Sequence, residues 1–234
     1  AEVSLSVMSN LDTDVTATST FTANGTAITG STFSSLTAGT YNIVATYNGI
    51  ASNTVTVTVL PAIYALHNGV TITPNRNALV YYGSGDVLED GVIRSYWTYL
   101  TYTGTSIDDL ATSAFVSEVD FLTTVVNNQI VLPNAGANLF YELFSLKVNN
   151  TDVTINTSAG TVVTNSLVET TNPGSVSFVA DLTYNGNQTL KVNYTGVNEI
   201  FDASGRPAAK GNMEVEMVSM EEIKARKAAF TIKK

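Results

Sequence analysis

The chain has 234 residues, enough for one large domain or two small ones with a real core. Only 13% are charged, against about a quarter in ordinary globular domains, and 44% are hydrophobic, which is the balance of a sheet protein and not of a disordered chain. The absence of cysteine and the single histidine, His67, exclude disulfides, thiol catalysis, cysteine-ligated zinc and a histidine metal cluster, while a net charge of −9 argues against nucleic acid.

The first sixty residues read as short strands between turns. Val3, Leu5 and Val7 alternate with polar neighbours, and Val15, Ala17, Ser19 and Phe21 fall on one face of an extended run over 13–22. Asn24-Gly25 between two extended runs is a strong hairpin signal, and Asn48-Gly49 repeats it. Between them Ala38-Gly39-Thr40 turns the chain, and Tyr41, Ile43 and Ala45 alternate. Val55, Val57 and Val59 then alternate with threonines, so their face is expected to be buried together with Tyr41. The stretch LTAGTYNIVATYNGIASNTVTVTV, residues 36–59, resembles the closing strands of immunoglobulin-like modules found in bacterial surface proteins and tailed-phage structural proteins. The resemblance covers residues 1–60 and implies an immunoglobulin-like β-sandwich ending in the Val-Thr strand.

Pro61 cannot continue a paired central strand, which places a boundary at 60–62 and domains at 1–60 and 62–234. In the second, strands are expected at Ala78–Tyr82, Val92–Tyr102, Ile130–Leu132, Leu139–Val148, Val153–Asn156, Thr161–Val168, Val176–Tyr184, Thr189–Tyr194 and Met213–Val218. Asn185-Gly186 makes the clearest hairpin. Ser106-x-x-Asp109 is a capping box opening one helix, which continues through Ala114 and Phe115 and is left open as far as Val126. The resulting fold class is mainly β: the immunoglobulin-like sandwich, then a larger β-sandwich or jelly-roll-like domain with one short helix.

No catalytic motif is present, and Gly83-Ser84-Gly85 reads as a turn. Asp12-Thr13-Asp14 and Asp86…Glu89-Asp90 read as turn-forming acids instead of a calcium loop, so no metal or cofactor is assigned. Tyr96, Trp97, Tyr99 and Tyr102 lie on one aromatic strand. One face of it belongs to a core; the other is either packed as well or a stacking platform for a sugar or partner protein. An internal amide cross-link needs a buried Lys opposite Asn or Asp; such bonds occur in surface sandwiches resembling this one. The first domain has no Lys, which leaves the strand residues Lys147 and Lys191.

Charge is uneven. Residues 221–234 carry +3, hence −12 for the rest. In that basic tail Lys224, Arg226, Lys227, Lys233 and Lys234 surround Phe230, a candidate anchor to a neighbouring acidic subunit. The expected function is non-enzymatic: a virion component, of the capsid decoration or fibre type, located at the virion surface. The alternative is a secreted bacterial adhesin or surface-layer-type protein, extracellular or at the cell surface. Its partners would be other structural subunits and host-surface or mucin glycans, with no nucleic acid. No apolar run is long enough for membrane insertion, and AEVSLSVMSN lacks the features of a signal peptide.

Overall fold

The computed structural model describes residues 2–133, 136–208 and 214–232. The chain is mainly β and divides into two compact units, Ala1–Pro61 and Ala62–Lys234.

Unit 1 contains β1 (Glu2–Ser4), β2 (Thr20–Ala23), β3 (Thr26–Ile28), β4 (Thr32–Ser34), β5 (Gly39–Tyr47), β6 (Ile50–Ala51) and β7 (Val55–Val59). β1 and β4 form a two-stranded sheet; the other five strands form a second, built around β5. Phe33 from the small sheet and Ala23 and Ile43 from the large one make a shared core. Tyr41 tilts against Phe33 with centroids 4.9 Å apart, and its hydroxyl donates to the Thr37 carbonyl at 2.9 Å. The Asn24-Gly25 turn has φ of 48° and 80°, the left-handed pair that a tight hairpin requires.

Two sequence expectations fail here. The extended run over 13–22 is broken by a 3-10 turn at Thr16–Thr18, because the Asp14 carboxylate accepts the Thr16 N–H at 2.9 Å and folds the chain early. The Val55/Val57/Val59 face is not buried as a unit. β7 is an edge strand paired only with β5, so Val57 and Val59 are half-buried and Val55 is 56% exposed.

Unit 2 contains β8 (Tyr64–His67), β9 (Val70–Ile72), β10 (Arg76–Gly85), β11 (Arg94–Tyr102), β12 (Phe115–Thr124), β13 (Gly136–Val148), β14 (Thr151–Val153), β15 (Ser158–Val168), β16 (Gly174–Tyr184) and β17 (Gln188–Asp202). One helix follows, α1 (Met220–Ile232). Seven strands run in the order β10-β11-β12-β13-β15-β16-β17, and β17 pairs back onto β10 in parallel, Asn77–Tyr81 against Asn198–Asp202. The sheet therefore closes into a barrel-like cylinder, which corrects the expectation of a larger sandwich or jelly roll. The length of β17 makes this closure feasible. One edge holds β8 at Leu190–Asn193 and β10 beyond Asn198.

Burial reports the two environments of the wall. β16 and β17 alternate, as strands do when one face packs and the other is wet. β10, β11 and β12 are buried almost continuously. Leu79, Tyr81, Trp97, Tyr99, Val119 and Phe121 fill the interior, while Val80, Tyr82, Tyr96, Leu100 and Leu122 lie on the outer face under α1.

Several boundaries move. The Ser106 capping box forms, but it opens only a 3-10 turn, Ile107–Ala111; Phe115 begins β12, where β-branched and aromatic residues favour extended chain. Residues 130–132 form no strand. Of the expected 213–218 strand, Met213 lies outside the described residues, and Met217 makes a single parallel bridge to Ser84. Gly83-Ser84-Gly85 is not a turn but the end of β10, with a bulge between Tyr81 and Gly83. Gly83 has φ of 128°, and the Val218 side chain occupies the space a Cβ would need. Gly83→Ala is therefore expected to destabilise unit 2 by about 1–3 kcal/mol. A melt followed by Trp97 fluorescence checks this, and an unchanged midpoint would show that Val218 gives way freely.

Candidate functional site

The aromatic strand offers no open face. Tyr96, Trp97, Tyr99 and Tyr102 are each 0% exposed, so the stacking-platform reading is corrected: the barrel interior takes one face and α1 covers the other. Trp97 Nε1 donates to Thr123 Oγ1 at 2.9 Å. Tyr99 stacks on Phe178, centroids 4.0 Å apart, with its hydroxyl 2.8 Å from Thr164 Oγ1.

The basic segment is likewise turned inward. Ile223, Arg226, Lys227 and Phe230 recur at helical spacing and form the face of α1 laid on β10–β12. Phe230 is 2% exposed, edge-on to Tyr82 and Phe201. Arg226 makes a bidentate pair with Glu216, at 2.6 and 2.7 Å, and bonds Glu222 at 3.0 Å. Lys224 is exposed; Lys233 and Lys234 lie outside the described residues. Phe230 and Lys227 are thus buried within their own unit, so these two side chains of the expected anchor are not presented to a neighbouring subunit.

Beneath α1 sits the densest chemistry of the described chain. Lys227, 2% exposed, pairs with Asp120, 0% exposed, through Oδ2. Tyr96 Oη donates to the same oxygen at 2.6 Å, and Thr98 Oγ1 donates to Oδ1 at 2.5 Å. Glu118, also buried, precedes Asp120 by two residues, so a strand puts both carboxyls on one face. The Lys227 Nζ is 3.5 Å from the Phe144 ring centroid, with the Tyr96 and Tyr82 rings at 5.5 and 5.8 Å. Burial pushes the Glu118 carboxyl above its ordinary range, opposed by the Lys227 charge and reinforced by Asp120. Burial, with the neighbouring carboxylates, also drives the Tyr82 and Tyr96 hydroxyls far up, so both stay protonated donors. An amine, its carboxyl partner and a second carboxyl are thus held together away from water.

The lysines singled out from sequence do not match this arrangement. Lys147 donates to the carbonyls of Leu110 and Ala111 at 3.4 and 3.2 Å, and Lys191 pairs with Asp181 at 3.2 Å on the surface. The acidic turns are also occupied. Asp86 accepts the N–H groups of Asp90 and Gly91 at 3.0 and 2.9 Å, while Asp90 pairs with Arg94. Among the described residues no three His, Asp or Glu side chains group as a metal site requires. No helix among them is long and apolar enough to cross a membrane.

His67 lies on β8, 2.5 Å from the Tyr184 hydroxyl, and burial lowers its pKa from the ordinary 6.5. Below that value the unfolded chain takes up a proton that the folded chain resists, so stability falls as pH drops through this window. The melting point of unit 2 is expected to be lower at about pH 5.5 than at about pH 7.5, and His67→Gln should flatten that part of the slope. An equal slope in the variant would assign the dependence to other groups.

Taken by fold and site, this is a mainly β chain with a closed barrel and a sealed ionisable cluster under its helix. Residues 2–79 match a family described as a domain of unknown function (DUF3869), a match that spans unit 1 and runs through β8 and β9 into β10. No curated protein and no solved structure matches the chain.

Proposed function

We propose that the chain is a non-enzymatic structural and binding protein of a bacterial cell surface, with unit 1 an immunoglobulin-like module and unit 2 a rigid barrel. The observation that carries this reading is the use of the polar groups in unit 2. The buried Asp120 and Lys227 pair with each other and, with Glu118, serve a contact between helix and wall. The resemblance of residues 36–59 to surface modules and the two sheets around Phe33 support the first unit's assignment. One of the grounds for a virion role, residues 221–234 as a dock, is weakened because α1 uses their apolar face internally.

Beads carrying the whole chain should be retained on mucin-coated glass under flow above the level of bare beads. The same preparation should release no product from glycoside, peptide or ester substrates. Turnover would overturn the non-enzymatic reading, and retention equal to bare beads would overturn the binding one.

A further inference from the structure

We infer that Lys227 and Asp120 are joined by an intramolecular amide bond that the protein forms on itself once α1 has docked, with Glu118 as the proton carrier. The inference stands on the placement of the three side chains in unit 2 and is independent of the cell-surface reading.

The two ends of the bond belong to different elements, Lys227 on α1 and Asp120 on β12, and 107 residues separate them. Folding alone brings them together. Nζ already bonds Asp120 Oδ2, so the nucleophile and the carboxyl carbon are neighbours before any reaction. A lysine and a carboxyl sealed from water can exchange charges for amine and acid by one proton transfer, and Glu118 on the same strand face provides a route. The Glu118 carboxyl, held high by burial, is suited to take up and return that proton.

The step balances without an oxidant or co-reactant. The Nζ lone pair forms a C–N bond to Asp120 Cγ, and the carboxyl π electrons move onto oxygen. Oδ1 is the oxygen kept as the amide carbonyl, and its developing charge meets the Thr98 hydroxyl at 2.5 Å. Oδ2, held at 2.6 Å by the Tyr96 hydroxyl, departs as water after receiving the amine proton through Glu118. Lysine amine plus aspartic acid thus gives a secondary amide and one water. A cavity of about 230 Å³, lined by Leu110, Glu118, Lys147, Asp152 and Phe230, lies beside Glu118 and can receive that water. The phenyl ring of Phe144 and the rings of Tyr82 and Tyr96 exclude bulk water that would favour hydrolysis.

The test is the intact mass of the whole purified chain, measured after denaturation. The expected mass is that of the sequence less one water, with a branched tryptic peptide joining the Asp120 and Lys227 segments. Asp120→Asn should lose one ammonia if it reacts, which distinguishes this bond from dehydration elsewhere. Lys227→Arg should show the full sequence mass. Glu118→Gln should keep the barrel, as judged by native Trp97 emission, and retain the full mass or react far more slowly. A wild-type chain that is folded by Trp97 emission yet shows the full sequence mass overturns the inference. So does a water loss that survives in Lys227→Arg.

Discussion

Ending the chain before Met220 is expected to abolish the folding of unit 2 while leaving unit 1 able to fold. Ile223 is 0% exposed, and Phe230 and Lys227 are 2% exposed, all on the outer face of β10–β12. Loss of two buried apolar side chains costs about 1.5–3 kcal/mol each, before counting the wall residues they cover. The truncation also removes the Lys227 amine from Asp120 and leaves the Tyr96 and Thr98 hydroxyls as its donors. The two apolar losses, with the wall surface they uncover, reach the range of an ordinary domain's whole stability, about 5–15 kcal/mol. The uncovered face, with Tyr82, Tyr96 and Phe201, would then be open to solvent and prone to association. Trp97 is the only tryptophan and lies in the barrel interior, so its emission reports unit 2 alone. The truncated chain should show red-shifted emission and bind hydrophobic dye. Native emission with a cooperative melt would mean that α1 is an accessory and not part of the core.

How much of this was legible in the sequence follows from what each signal depends on. Local backbone chemistry was readable: Asn24-Gly25, Asn48-Gly49 and Asn185-Gly186 all turn hairpins, because the left-handed conformation is a property of those residues themselves. The Ser106 box was readable for the same reason, but the extent of its helix depended on which face Val116, Val119 and Leu122 pack against, and a barrel claimed them as β12. Closure was not legible. It rests on β17 pairing with β10 across 121 residues at Asn77–Asn198, a contact without any local mark. The site was half-visible. Ile223, Lys227 and Phe230 had helical spacing, and Glu118 and Asp120 stood at strand spacing in an apolar run; yet a basic terminus among few charges reads first as a solvated tail. A lysine recurring on the apolar stripe of a helix was the signal that could have found it.

The aromatic interior leads to the second large effect. The double variant Trp97→Ala with Tyr99→Ala is expected to leave unit 2 unfolded or molten, and the milder Tyr99→Phe to fold with reduced stability. Trp97 packs on Tyr81 with centroids 5.0 Å apart, and Tyr99 lies between Phe178 and Phe121 at 4.0 and 4.7 Å. Each truncation to Ala removes a large ring from a close-packed interior and costs about 3–5 kcal/mol. Neighbouring cavities in one core do not relax independently, so the two costs couple. Truncation also strips Thr123 of the Trp97 indole donor and Thr164 of the Tyr99 hydroxyl; Thr123 keeps the Val131 carbonyl at 2.6 Å and Thr164 keeps the Asn138 amide at 2.9 Å. Tyr99→Phe keeps the ring stack and removes one buried hydrogen bond, which costs about 1–3 kcal/mol. Because the double variant lacks tryptophan, near-ultraviolet circular dichroism and calorimetry of the whole chain are the measurements of choice. The expected record is one surviving transition, from unit 1, in the double variant, and two in Tyr99→Phe with the unit 2 transition moved down. A double variant whose unit 2 still melts cooperatively near the wild-type temperature would place these rings outside the core that holds the barrel closed.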